Sequence, residues 1–214
     1  MGRRPCRVQS LESPHGLALG LGYSCAWLAG GHARCWGLNV RGALGNERIR
    51  YYTEAPQSVT GLQGIAALSA NYSGKQSCAL QESGAVVCWG YRPAGAESFL
   101  SAPVALPSLA HIRGVEVGVR RVFAWNETGE VFEWLPRSRP SEEAPSGYFP
   151  PTRVEGLPAV IEVYAGTSHQ CARTEGGEVW CWGMNNYGQL GDGEGATLDA
   201  PFRVPTPSGS REDT

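Results

Sequence analysis

Lysine is almost missing from this chain: Lys75 is the only one, and arginine supplies the other basic residues. That bias reads as the mark of a GC-rich genome rather than of a function. Excess positive charge is missing too, since the formal net charge is −2. No global field gathers a phosphate backbone, and nucleic acid is not an expected partner. No apolar run reaches the ~18 residues that a membrane-spanning helix needs, so membrane insertion by a helix is not expected. The run LALGLG at Leu17 to Gly22 follows Arg3 and Arg4, but it is too short and too glycine-rich for a signal-peptide core. Either this form is not exported or its first residue is not the native start. Helical periodicity is absent throughout.

Turn formers and tryptophan are abundant instead: 29 Gly, 15 Pro and 7 Trp, in a chain that is 42% hydrophobic. They fall in register. Cys171-Ala172 aligns without gaps on Cys25-Ala26, Cys78-Ala79 and Phe123-Ala124. Gly177 then falls on Gly31, Gly84 and Gly129, and Trp182 on Trp36, Trp89 and Trp134. Spacings of 53, 45 and 48 residues (78−25, 123−78, 171−123) lie in the range of repeat architectures. Within each unit a glycine turn joins two short strands, which is a hairpin signature. An apolar strand precedes it: Leu17 to Leu19, Ile65 to Ala70, Val115 to Val117 and Val160 to Ala165. A Pro-x-x-Val strand closes the unit at Pro56, Pro151 and Pro201, with a looser version at Pro103, and a further copy stands at Pro5 to Val8. Proline suits the first residue of a strand, where no ladder N–H is required. Four strands in meander order, stacked radially, describe a propeller blade. Blade faces pack on neighbours, so both faces of Val179 to Trp182 are apolar: Val179 and Cys181 on one, Trp180 and Trp182 on the other.

The combination of Cys171-Ala172, Gly177 to Gly183, Asn185 to Gly191 and Pro201 to Val204 resembles the regulator of chromosome condensation repeat, in a bacterial-type form with paired cysteines. Unit one matches through Cys35-Trp36-Gly37, Asn39 and Gly42 to Gly45, and unit two through Val86 to Gly90. Unit three keeps Gly129, Val131 and Trp134. The resemblance implies an all-β propeller-type array, with units near 16–62, 63–108, 109–157 and 158–206, an extra strand near 5–8 and a flexible tail at 207–214. The family usually closes seven blades. Four units that begin and end inside the pattern are expected to form an open arc, a fragment or half of an assembly, with a small ring as the alternative. An open arc leaves apolar faces and strand edges that invite self-association or missing blades.

The cysteines carry the most chemistry. Cys25/Cys35, Cys78/Cys88 and Cys171/Cys181 share a separation of ten, which opposes each pair across its hairpin. Opposed strand residues lie close enough to be bridged. Unit three lacks both partners together, having Phe123 and Glu133 in their place, as expected of a bonded pair. Buried free thiols are the alternative. Three cross-strand disulfides imply an oxidising compartment, whether extracellular, periplasmic or cell surface. Cys6 is the odd thiol. Zinc is not expected, because no pair has C-x₂₋₄-C spacing and His169 has no counterpart in the other units. A cysteine repeated three times without an adjacent base reads as scaffold, so neither a catalytic residue nor a cofactor is expected. GLGYS at 20–24 is not followed by a helix that would make it a phosphate loop.

Binding is left to the loops. Asn39 and Asn185 follow the Trp-Gly pair and read as structural. Arg41 and Tyr187, the variable residues of the same loops, are candidate partner contacts. So are Tyr148 and Phe149, which end the proline-rich stretch 136–151 that replaces the glycine loop of unit three. Asn71-Tyr72-Ser73 and Asn126-Glu127-Thr128 match the glycosylation acceptor pattern. The expected function is an exported, non-enzymatic module that binds a protein partner. The resemblance adds two alternatives: a guanine-nucleotide exchange factor for a small GTPase, and a secreted protein inhibitor of an enzyme.

Overall fold

A computed structural model describes residues 7–71, 76–90, 100–119, 121–135 and 148–205. They form four antiparallel sheets, each of four strands paired in chain order. The first holds β1 (Pro14–Gly20), β2 (Tyr23–Leu28), β3 (Ala33–Leu38) and β4 (Tyr52–Ser58). The second holds β5 (Ile65–Ala70), β6 (Gln76–Gln81), β7 (Val86–Gly90) and β8 (Leu100–Ala105). The third holds β9 (Ile112–Val117), β10 (Val122–Asn126), β11 (Val131–Trp134) and β12 (Thr152–Arg153). The fourth holds β13 (Val160–Ala165), β14 (His169–Thr174), β15 (Val179–Gly183) and β16 (Leu198–Arg203). The one helical turn among the described residues is a 3₁₀ turn at Val40–Gly42. Pro5 and Cys6 lie outside the described residues, and Arg7 and Val8 belong to no strand.

The hairpin glycines explain the local fold. Gly31, Gly84, Gly129 and Gly177 have φ of 70°, 84°, 79° and 82°, a region that disfavours any side chain. Each donates its N–H three residues back, to the carbonyls of Leu28, Gln81, Asn126 and Thr174. Gly31 and Gly129 are held for a second reason. A Cβ at Gly31 would lie 2.7 Å from the Gly64 Cα, and one at Gly129 2.5 Å from the Val160 nitrogen. At these two points the hairpin abuts the next sheet, and its carbonyl accepts from Ile65 N and Val160 N at 3.1 and 3.0 Å.

Each hairpin register opposes the paired positions: Cys25 with Cys35, Cys78 with Cys88, Cys171 with Cys181 and Phe123 with Glu133. All three cysteine pairs are disulfides, with Cα atoms 4.1 Å apart.

Packing follows one rule. Every sheet has a disulfide face and a tryptophan face, because strand residues alternate sides. The disulfide face of the first sheet (Ala18, Cys25, Cys35) is buried on the tryptophan face of the second (Leu68, Ala79, Trp89). The disulfide face of the second (Cys78, Leu80, Cys88) is buried on Val115, Val117 and Trp134 of the third. In the third sheet Phe123 stands where the disulfide would be, and meets Trp182 edge-on at 6.0 Å between ring centroids. The four sheets are therefore joined in series, first to fourth, as an open arc of propeller blades. Its two end faces are bare. Leu17 and Leu19, 61% and 65% exposed, occupy the register positions of buried Leu68 and Val117, and Trp36 is only half-buried where Trp89, Trp134 and Trp182 are buried. At the other end Tyr164 is 61% exposed where its register counterpart Ala18 is buried.

Candidate protein-binding rim

The arc has two rims of different chemistry. One holds the β2–β3 type of hairpin turn, whose exposed residues include His32, Glu82, Glu127 and Glu175. The other holds the turns entering each hairpin and the long loops leaving it. Leu38 N donates to Gly22 O at 2.8 Å and Met184 N to Ser168 O at 2.9 Å, which places both kinds of connection together.

The glycine loops of units one and four are built alike around an asparagine. The Asn39 side-chain oxygen accepts from Leu44 N, and that of Asn185 from Leu190 N, both at 2.9 Å. Asn39 Nδ2 donates to Ile49 O, and Asn185 Nδ2 donates to Asp192 Oδ1 at 2.8 Å and Glu194 O at 3.0 Å. Both asparagines are buried. They hold the loops from within and present nothing to a partner. The Asp192 carboxyl lies below its usual range, first because Glu194 N donates to it and then through Asn185.

These loops also tie the sheets together. Ala43 O accepts from Trp89 Nε1 at 2.9 Å and from Ser77 Oγ at 3.3 Å, so the loop of unit one lies over the tryptophan of the second sheet. Tyr23 Oη adds bonds to Gln76 O and Ser77 Oγ at 3.0 and 2.8 Å. Burial raises the Tyr23 phenol to about 12, against a smaller lowering from Ser77.

The four expected contact residues separate. Tyr187 is 93% exposed at the loop tip of unit four. Arg41 is at the equivalent tip of unit one, with φ of 59°. Phe149 is exposed beside Leu135, to whose carbonyl its N–H donates at 2.9 Å. Tyr148 corrects the sequence expectation: it is buried, accepts a hydrogen bond from Gln76 Nε2 and joins the cluster around Trp134. Alternation at the strand-like residues 148 and 149 turns one aromatic inward and the other outward. Residues 136–147 of that stretch lie outside the described residues. Nor are the glycosylation patterns presented as acceptors. Asn71 is buried with Nδ2 donating to Gly118 O at 3.2 Å, and Asn126 closes its own turn through Thr128, Glu130 N and the Glu130 carboxylate.

Sequence reasoning missed further rim residues. Leu21, Val40, Tyr51, Tyr52 and Met184 are all exposed there, and Arg50 stands 5.2 Å over the Tyr51 ring. Their signal was present as non-repeating apolar residues inside loops that otherwise repeat.

A cleft of about 680 Å³ opens between the third and fourth sheets, lined by Arg121, Ser168, Gln170, Trp182, Met184 and Asp199 among others. Arg121 is paired with Glu133 at 2.5 Å, and the Ser168 hydroxyl points to Met184 Sδ at 3.4 Å. Among the described residues no group of three His, Cys, Asp or Glu side chains is placed to hold a metal ion. Among them, too, no helix is long and apolar enough to cross a membrane.

Comparison with known proteins agrees with this geometry. Residues 160–189 and 176–212 match the regulator of chromosome condensation (RCC1) repeat. Human RCC1 domain-containing protein 1 is 28% identical over 198 residues, 88% of this chain and 49% of that protein. The human E3 ubiquitin-protein ligase HERC2 is 28% identical over 228 residues, 98% of this chain and 5% of that protein. This chain thus spans half the length or less of these relatives. Among solved structures, human WBSCR16 superposes with a TM-score of 0.78 at 22% identity, over 95% of this chain and 56% of that one. Prp20p from Saccharomyces cerevisiae superposes with 0.77 at 19% identity, over 95% and 53%. Repeat matches, propeller-type sheets and loops closed by Asn39 and Asn185 converge on one identity: the chain is built of regulator of chromosome condensation repeats.

Proposed function

We propose that the chain is a non-enzymatic protein-binding module whose loop rim, centred on Tyr187, Arg41 and Phe149, receives the partner. The observation that carries this reading is the asymmetry of the rims. Leu21, Leu38, Val40, Tyr51, Tyr52, Phe149, Met184 and Tyr187 are exposed on the loop rim, while the hairpin turns expose Glu82, Glu127 and Glu175. Aromatic and arginine side chains are the groups that anchor protein interfaces, and charge-rich surfaces are depleted at interface cores. Internally bonded loops hold these side chains in fixed positions, which lowers the entropy lost on binding. Structural neighbours are protein binders: Prp20p was described with its binding to Gsp1p and histones, and yeast RCC1 (Prp20) was crystallised with Kap60. The three disulfides favour an oxidising compartment.

Two measurements test the proposal. A partner recovered with the purified chain should be lost from the variant carrying Tyr187→Ala, Tyr51→Ala and Arg41→Ala, and kept by Glu82→Ala with Glu175→Ala. Equal recovery by both variants removes the rim assignment. Alkylation of protein from its native host should label none of the six paired cysteines, and labelling of any pair removes the compartment.

A further inference from the structure

We infer that the two bare ends of the arc are complementary halves of one interface, and that a second copy of this chain occupies them head to tail, closing a ring of eight sheets.

The argument rests on the packing rule inside the chain. Wherever two sheets meet, the disulfide-side face of one is covered by the tryptophan-side face of the next. The faces left over at the ends are one of each kind. The fourth sheet presents Tyr164, Val179 and the Cys171–Cys181 bond, and the first presents Leu17, Leu19 and Trp36. A pair of unlike ends on one chain makes a heterologous contact, which closes into a ring if the rotation permits. Two arcs of four sheets give eight, the upper end of the roughly four to eight blades in which propellers close.

Loop geometry and charge point the same way. The loop of unit one lies over Trp89 of the following sheet, with Ala43 O taking the indole N–H. Loop 185–194 has the same asparagine-centred build and has no following sheet within the chain. On a second copy it would reach Trp36, with Gln189 O at the register position of Ala43 O. Between residues 185 and 199 that loop carries Asp192, Glu194 and Asp199 and no base. The segment 39–51 beyond Trp36 carries Arg41, Arg48 and Arg50 against Glu47 alone. Head-to-tail docking brings the acidic loop of one copy to the basic loop of the other.

Register equivalence names the central contact. Tyr164 corresponds to Ala18 and Leu17 to Leu68, which share one buried cluster at the first internal interface. Tyr164 of one copy therefore meets Leu17 of the other. Sedimentation velocity of the non-reduced chain should give a species of twice 22.9 kDa. Leu17→Asp and Tyr164→Arg, each at an exposed site, should retain cooperative unfolding and weaken association by about 30-fold or more. The double variant pairs the new charges across both interfaces and should recover about 10-fold of that loss. A single-chain mass at all concentrations overturns the inference, as does a ladder of masses that grows with concentration. Single variants that associate like the parent chain overturn it as well.

Discussion

The third and fourth sheets solve the same problem with different chemistry. In the fourth, Cys171 and Cys181 staple the hairpin covalently, yet the staple lies on a face with no following sheet. In the third the opposed positions are Phe123 and Glu133, with no covalent link, and both faces are covered. Phe123 fills the volume on the Trp182 side, while Arg121 reaches across to neutralise Glu133. A cross-strand bond restricts the unfolded chain, whereas an aromatic plug stabilises only the assembled stack. The absence of cysteine in unit three leads from sequence alone to the expectation of a weak blade. Its burial shows that neighbours supply what the disulfide would, so its stability belongs to the arc rather than to the hairpin.

Removing the plug is the sharpest way to break the comparison. Phe123→Ala empties a fully buried site between the third and fourth sheets and should cost about 3–5 kcal/mol in denaturant unfolding. A loss below 1 kcal/mol would mean the stack does not depend on it. Next in size is removal of the staple. Cys171→Ser with Cys181→Ser should cost about 2–3 kcal/mol, since the closed loop is only ten residues in separation. Hydrogen exchange of that variant should show faster opening of β14 and β15 with β10 and β11 little changed. Equal acceleration in both sheets would show that the staple acts on the whole arc.

The smallest effect separates the sheets at their inner strands. Glu116 of the third sheet accepts from Ser69 Oγ of the second at 2.9 Å and from Ala165 N of the fourth at 3.4 Å. Burial raises its carboxyl above the ordinary value, with both hydrogen bonds opposing in part. A carboxyl raised on folding favours the native state most when protonated, so stability falls as pH climbs from the unfolded to the folded pKa. Glu116→Gln should remove that slope and leave stability at neutral pH unchanged or slightly higher, within about 1 kcal/mol. Chemical denaturation at several pH values between mildly acidic and neutral checks it. A slope that persists in the variant assigns the pH dependence to another group.

Much of the architecture was legible because it depends on local register. A glycine at φ near 80° and a fixed separation of ten place two cysteines opposite each other wherever the hairpin sits, so the disulfides follow from spacing. The tryptophan after the second cysteine falls on the other face by alternation alone. The candidate rim was legible only in part. Tyr187 and Arg41 stand at loop tips whose backbone the repeat itself defines, and the structure places them there. Tyr148 and Phe149 are adjacent and chemically alike, and which one turns inward depends on Gln76, 72 residues earlier in the chain.

The sequence by itself therefore determined the repeat, the hairpins, the pairing of the cysteines and the identity of the loops. Each of these is decided within ten to twenty residues, by backbone conformation and by the two-residue period of a strand. Tertiary structure alone decided which faces meet, that Phe123 replaces a disulfide by packing on Trp182, and that Leu17, Leu19 and Tyr164 remain bare. Their residue types match those of buried counterparts in the other units. Exposure is a property of position in the stack, and only the folded arc has a first and a last face.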